Sequence, residues 1–180
     1  MQTLLTKLSA SGACLSAMNW VKENNITTAD ELWTKCNDVQ WLFWGILRIR
    51  NGLTVTETFQ YKDKLLDLVA DLLPGCCKEI VDITKKAAVC TTDDLVWDNR
   101  LAIEAVRQLH LRDLRLGAQW AVRAAVLDLT NHWANYFKLS ELATHVVTAN
   151  AFTSRPLGKT VIPDIVRGLF PDVLEKFKKW

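Results

Sequence analysis

The amino-acid sequence predicts an all-α fold: a single-domain bundle of about eight to ten helices over residues 1–180, with a short extended segment near 53–59. Three observations predict it. Apolar residues recur at helical spacing along nearly the whole chain. Helix start and stop signals punctuate these stretches. The alternation at Leu53-Thr54-Val55-Thr56-Glu57-Thr58-Phe59 has no second clear strand to pair with, and a lone strand has nowhere to place its hydrogen bonds.

Taken in order, Ala13, Cys14, Ala17, Met18 and Val21 form the apolar stripe of a first amphipathic helix, which Asn24-Asn25 ends. Thr28-Ala29-Asp30-Glu31 then reads as a capping box, with hydroxyl and carboxylate serving backbone donors at the start of a short helix carrying Leu32 and Trp33. Asn37 or Asp38 can cap a third helix through Arg48. Val39, Leu42, Phe43, Ile46 and Leu47 line one face of it, and Trp41 and Trp44 another. A helix apolar nearly all round is enclosed by others, which makes this the expected centre of the bundle.

Asn51-Gly52 marks a turn. Leu65, Leu68, Val69 and Leu72 mark a helix stopped by Pro74-Gly75, and Cys76/Cys77, Ile80/Val81, Thr84 and Ala87/Ala88 mark the next. Asp93-Asp94 opens a segment leading to Ala102, Ala105, Val106 and Leu109. A long alanine-rich helix is expected from about Asp113 to Phe137, its Ala118, Ala121, Ala124 and Ala125 allowing close backbone approach. Leu139, Leu142, Ala143, Val146 and Val147 make another amphipathic helix. Ser154 to Gly158 is a loop, Pro163 suits the first turn of a helix carrying Ile165 to Phe170, and Pro171 opens the last.

Composition narrows the class. Hydrophobic residues are 49 % and charged residues 23 % of the 180, a globular rather than a disordered balance. With 22 basic and 20 acidic residues spread along the chain, a net charge of +2 supplies no field that marks a nucleic-acid binder. Five cysteines, Cys14, Cys36, Cys76, Cys77 and Cys90, are an odd number and read as buried reduced thiols of a cytoplasmic protein. The longest apolar run, Trp41 to Leu47, is far below the roughly 20 residues a bilayer span needs, and no signal peptide is evident at the start.

Chemistry is sparse. His110, His132 and His145 share no metal-ligand spacing with one another or with cysteine, and no phosphate loop or nucleophile elbow is present. No cofactor and no metal are expected. On one helix, Asp98, Arg100, Glu104 and Arg107 form a charge ladder at i, i+3 and i, i+4. It reads either as a guanidinium presented to an acidic partner or as a salt-bridge network fixing the chain. Arg107, Arg112, Arg115 and Arg123 near Trp120 offer an alternative nucleic-acid patch, but Asp113 and Asp128 interrupt it. Eight tryptophans against two tyrosines demand a large ring area to bury. Most are expected in the core, with Trp41 and Trp44 the candidates for a surface hot spot.

Several segments together carry a family resemblance. Gly12-Ala13-Cys14 with Trp20, Glu31-Leu32-Trp33, Cys36 and Trp41-Leu42-Phe43-Trp44 resemble the opening of a set of small bacterial and phage proteins. Asp98-Asn99-Arg100-Leu101-Ala102-Ile103-Glu104-Ala105 and Asp164-Ile165-Val166-Arg167 with Phe170-Pro171 resemble two later segments. The group is similar to the all-helical immunity proteins encoded beside polymorphic toxins. This chain departs from it in lacking long alanine-rich repeats outside Ala118 to Ala125. The resemblance implies a non-catalytic inhibitor, immunity-like or a phage anti-defence product, that neutralises a protein partner (a toxin or a host defence enzyme) in the cytoplasm by direct contact. It makes Asp98, Arg100, Glu104, Asp164 and Arg167 the polar candidates for that contact. An enzyme built on His132 or His145 with Asp128 is the third reading, and self-association is left open.

Overall fold

A computed structural model of the chain describes residues 3–107, 114–129, 136–153 and 156–179. Among these residues it has eleven α-helices and no strand: α1 (Leu4–Ala10), α2 (Leu15–Glu23), α3 (Ala29–Lys35), α4 (Val39–Arg50), α5 (Val55–Asp67), α6 (Lys78–Val89), α7 (Asp93–Arg107), α8 (Leu116–Ala125), α9 (Tyr136–Asn150), α10 (Val161–Leu169) and α11 (Asp172–Lys179). Two short 3-10 turns, Ala70–Leu72 and Gly75–Cys77, link α5 to α6. No described helix is long and apolar enough to cross a membrane.

The extended segment expected near 53–59 is helix instead, because a second capping box operates there. The Thr54 hydroxyl accepts from the Glu57 backbone N–H at 3.2 Å, and the Glu57 carboxylate accepts from the Thr54 N–H at 2.8 Å. The first capping box forms as expected, with the Thr28 hydroxyl accepting from the Glu31 N–H at 3.2 Å. Asn51 lies in the left-handed region at φ 58°, a conformation asparagine tolerates, and this turns the chain between α4 and α5.

Helix α5, whose start was expected to be extended, is the hub of the bundle. Thr58, Phe59, Tyr61, Lys62, Leu65 and Leu66 of α5 are all buried, and the helix packs on α6, α8, α9 and α10. It shares the centre with α4, whose Leu42, Phe43, Gly45 and Ile46 are buried. Phe43 joins the layers, meeting Tyr61 edge-on at 4.8 Å and Phe170 at 6.2 Å between ring centroids. The Tyr61 hydroxyl then donates to the Leu139 carbonyl of α9 at 3.3 Å. Helices α5 and α6 run antiparallel, since Thr56 bonds Thr91 and Gln60 bonds the Ala88 carbonyl while Asp67 reaches Lys85.

The long alanine-rich helix is interrupted. Helix α8 stops at Ala125, residues 127–129 are non-helical, and α9 begins at Tyr136. Basic side chains from elsewhere in the bundle take carbonyls that a continued helix would have used. Arg107 donates to Val126 at 3.3 Å, Lys62 to Leu127 at 3.1 Å and Lys138 to Asp128 at 3.3 Å. Cations at the negative end of a helix dipole add to these bonds. The small face does what its composition suggests: Ala121, Ala124 and Ala125 are wholly buried, and a Cβ added to Gly117 would lie 3.0 Å from Phe152 Cβ.

Burial corrects the expectation that all five cysteines are buried. Cys36 and Cys77 are buried, and burial pushes their thiols up to about 11 and about 12, but Cys14, Cys76 and Cys90 are exposed. Of the tryptophans, Trp33 is buried, Trp20, Trp41, Trp44 and Trp120 are half-buried, and Trp97 is 59 % exposed. Trp133 and Trp180 lie outside the described residues. Trp20, Trp41 and Trp120 pack against the main core and Trp44 against a second cluster, so most of the described tryptophans contribute to the core as expected, and Trp97 is the exception among them.

Candidate protein-contact surfaces

The candidate residues among those described fall into four places. The first is the end of α10. Helical spacing brings Asp164 and Arg167 together, and the Arg167 Nη1 donates to the Asp164 carboxylate at 2.7 Å. The same guanidinium donates from Nε to the Trp33 carbonyl at 2.7 Å, and from Nη2 to the Cys36 carbonyl. Carbonyls in the last turn of a helix lack intrahelical donors. Arg167, 15 % exposed, therefore closes the C-terminus of α3 and ties it to α10.

The second place is α4. Trp41 meets Trp20 edge-on at 6.0 Å. Trp41 and Trp44 line a small apolar gap of about 40 Å³ with Leu8, Leu32 and Phe177. Both also line an open groove of about 230 Å³ with Ala13, Cys14, Gln40 and the 53 % exposed Phe137. The Cys14 thiol is held below its usual range by the Ser16 hydroxyl, 3.1 Å away, and by backbone N–H groups at the start of α2. A larger groove of about 590 Å³ runs between Asp38 and Gln40, the Ser140 to Thr148 face of α9, and Ile162 and Pro163.

The third place holds the basic candidates, which the structure separates. Arg107 lies between the Val126 carbonyl and Glu104, whose carboxylate is 3.8 Å from Nη1. Arg112 lies outside the described residues, and Arg115 is exposed before the first turn of α8. Arg123 stacks 4.4 Å above the Trp120 ring, and Trp120 contacts His145 at 5.4 Å. Burial depresses the His145 pKa against the pull of Glu141, 3.8 Å away. His110 and His132 lie outside the described residues. Among the described residues no group of three His, Cys, Asp or Glu is placed to hold a metal.

The fourth is the outer face of α7. Thr92 starts the helix, its hydroxyl accepting from the Leu95 N–H at 3.2 Å. Asn99, Ala102, Ile103 and Val106 turn inward. Asp94, Trp97, Asp98, Leu101, Glu104 and Ala105, at three- and four-residue spacings, stay exposed on one face. Trp97 and Leu101, one turn apart, are 59 % and 55 % exposed. Half of the charge ladder forms: Glu104 pairs with Arg107 at i, i+3, but Arg100 turns from Glu104 to Asp128, 3.7 Å away across the bundle. Asp98, Arg100 and Glu104 thus share a helix but not a function, since Arg100 ties α7 to residue 128 while the two acids remain outside. Helical spacing around Trp97 carried this signal in the sequence; the hydrophobic stripes next to it masked which face would turn in.

Beneath α7 lies a polar cluster the sequence did not announce. Lys62 is buried on α5, and burial lowers its pKa to about 7, with Arg107 acting in the same sense and Asp128 opposing. It lines a closed gap with Thr58, Phe59, Asn99 and Leu129. Asn99 is 1 % exposed, and neither polar atom of its side chain has a hydrogen-bond partner.

Against known proteins, no family model matches the chain and no solved structure matches it. Over 123 residues the chain is 26 % identical to the mitochondrial chaperonin CPN60 of Arabidopsis thaliana. The match covers 66 % of this chain and 21 % of that protein, so the chain spans about a fifth of the length of the curated relative it is similar to.

Proposed function

We propose that this protein is a non-catalytic inhibitor that neutralises a partner protein by direct contact, as an immunity protein or a phage anti-defence protein does. One observation carries the reading: Trp97 and Leu101 stand exposed side by side on α7, outside a core that is already closed beneath them. Exposed tryptophan is costly to leave in water and is enriched at the centres of protein interfaces. The resemblance of residues 98–105 to a segment of the immunity-like group falls on the same helix. The nucleic-acid alternative is weakened because Arg107 serves the Val126 carbonyl and Glu104.

The test is affinity capture from lysates of several bacterial hosts, with the intact chain and Trp97→Ala compared in parallel. A protein recovered in stoichiometric amount by the first and lost by the second supports the reading. Recovery of no stoichiometric protein from any host defeats it.

A further inference from the structure

The exposed face of α7 has a definite charge. Asp93 and Asp94 stand in its first turn, Asp98 lies one turn on, and Glu104 closes the far end, all four exposed. Trp97 and Leu101 lie between them. The arginines of the same helix are committed elsewhere, Arg100 to Asp128 and Arg107 to Glu104 and the Val126 carbonyl. Among the described residues, Asp93, Asp94 and Asp98 enter no salt bridge, whereas acids on neighbouring elements such as Asp67, Asp128 and Asp172 do. The helix dipole favours the two acids in the first turn but falls off within that turn, leaving Asp98 and Glu104 without its support. The result is an apolar strip with an acidic border in a chain whose net charge is +2.

We propose that this face of α7 receives a basic amphipathic helix of the partner protein, with the partner's apolar residues on Trp97 and Leu101 and its lysines or arginines on Asp94 and Asp98. This rests on the protein-contact reading above and specifies the chemistry of the partner. Complementary charge at the border governs encounter and register, while the desolvated aromatic centre holds the complex together. Trp97 and Leu101, at i and i+4 on one helix face, can pack side by side against the apolar stripe of a second helix, as neighbouring positions on a helix surface do.

The probe is a synthetic amphipathic Leu/Lys helix titrated onto the full-length chain, with Leu/Glu and Leu/Gln helices of the same pattern as comparators. Saturable binding of the Leu/Lys helix is expected, and not of the Leu/Glu helix. Trp97→Ala should weaken it roughly tenfold or more. The double change Asp94→Asn with Asp98→Asn should also weaken it and flatten its salt dependence. Glu79→Gln and Asp82→Asn, exposed acids of α6, should leave it unchanged. Since Trp97, Asp94 and Asp98 are all exposed, these variants should fold, which helicity by circular dichroism confirms. Binding that ignores the α7 changes, or no binding at all, overturns the proposal. Binding of the Leu/Gln helix through Trp97, with no gain from lysine, overturns the charge assignment and leaves the protein-contact reading standing. That reading has its own readout in the capture experiment.

Discussion

Lys62, on the most enclosed helix of the bundle, donates to the carbonyl of Leu127 at 3.1 Å, where the chain leaves α8. Its pKa is pulled down to about 7 by burial, so near neutrality the folded protein carries it partly uncharged, whereas the unfolded chain holds it protonated up to about 10.5. The unfolded state therefore binds more protons between these values, and stability must rise with pH across the window. The opposing change comes from the buried thiols of Cys36 and Cys77, whose raised pKa values remove stability above about 9. Urea midpoints measured from pH 6 to 9 should climb in the native chain and stay flatter in Lys62→Met. Each unit of pKa difference is worth about 1.4 kcal/mol.

Asn99 pays the desolvation of an amide without a partner inside the same cluster. Asn99→Leu should raise stability by about 1–3 kcal/mol, because it removes a buried unsatisfied group and adds apolar volume next to Leu129. Thermal unfolding of the variant against the native chain measures this. A lower midpoint would mean that the amide makes bonds essential to the native packing.

Arg167 should prove to be a structural residue of large effect. Arg167→Ala removes two charge-assisted bonds to the end of α3 and one to Asp164, and should cost about 2–4 kcal/mol. Lysine cannot span the Trp33 and Cys36 carbonyls with a fork of donors, so Arg167→Lys should restore little. Asp164→Asn, at an exposed carboxylate, should cost under about 1 kcal/mol. Denaturant titration of the three variants separates these outcomes.

The capping box that starts α5 should be worth about 1 kcal/mol. Thr54→Ala removes the acceptor for the Glu57 N–H, and should lower the urea midpoint by that amount without changing the slope. Thr28→Ala should act similarly on α3. A far larger loss for Thr54→Ala would show that the cap supports more of the bundle than the first turn of α5.

How much was legible depended on which interaction decided each element. The all-helical class, the capping box at Thr28 and the turn at Asn51-Gly52 are local, and apolar spacing with cap residues carries them; the helix expected to run to Pro74-Gly75 instead ends at Asp67. The segment 53–59 was ambiguous because Leu53, Val55 and Phe59 suit a period of two as well as the edge of a helix. Thr54-Val55-Thr56-Glu57 is nonetheless a second capping-box pattern, and its bonds settle the matter. The break after Ala125 had no comparable local mark, since the cations holding its carbonyls come from residues 62, 107 and 138.

Sequence by itself determined the all-helical class seen among the described residues, because amphipathic periodicity and caps act within a turn or two of chain. Only tertiary structure decided which tryptophans stay outside, which arginines serve the fold, and which acids of α7 enter no salt bridge among the described residues. A side chain's exposure and its choice of ion-pair partner are properties of its neighbours in space. Arg100 could have paired with Glu104 on its own helix, yet it lies against Asp128, and Glu104 remains on the outer face beside Leu101.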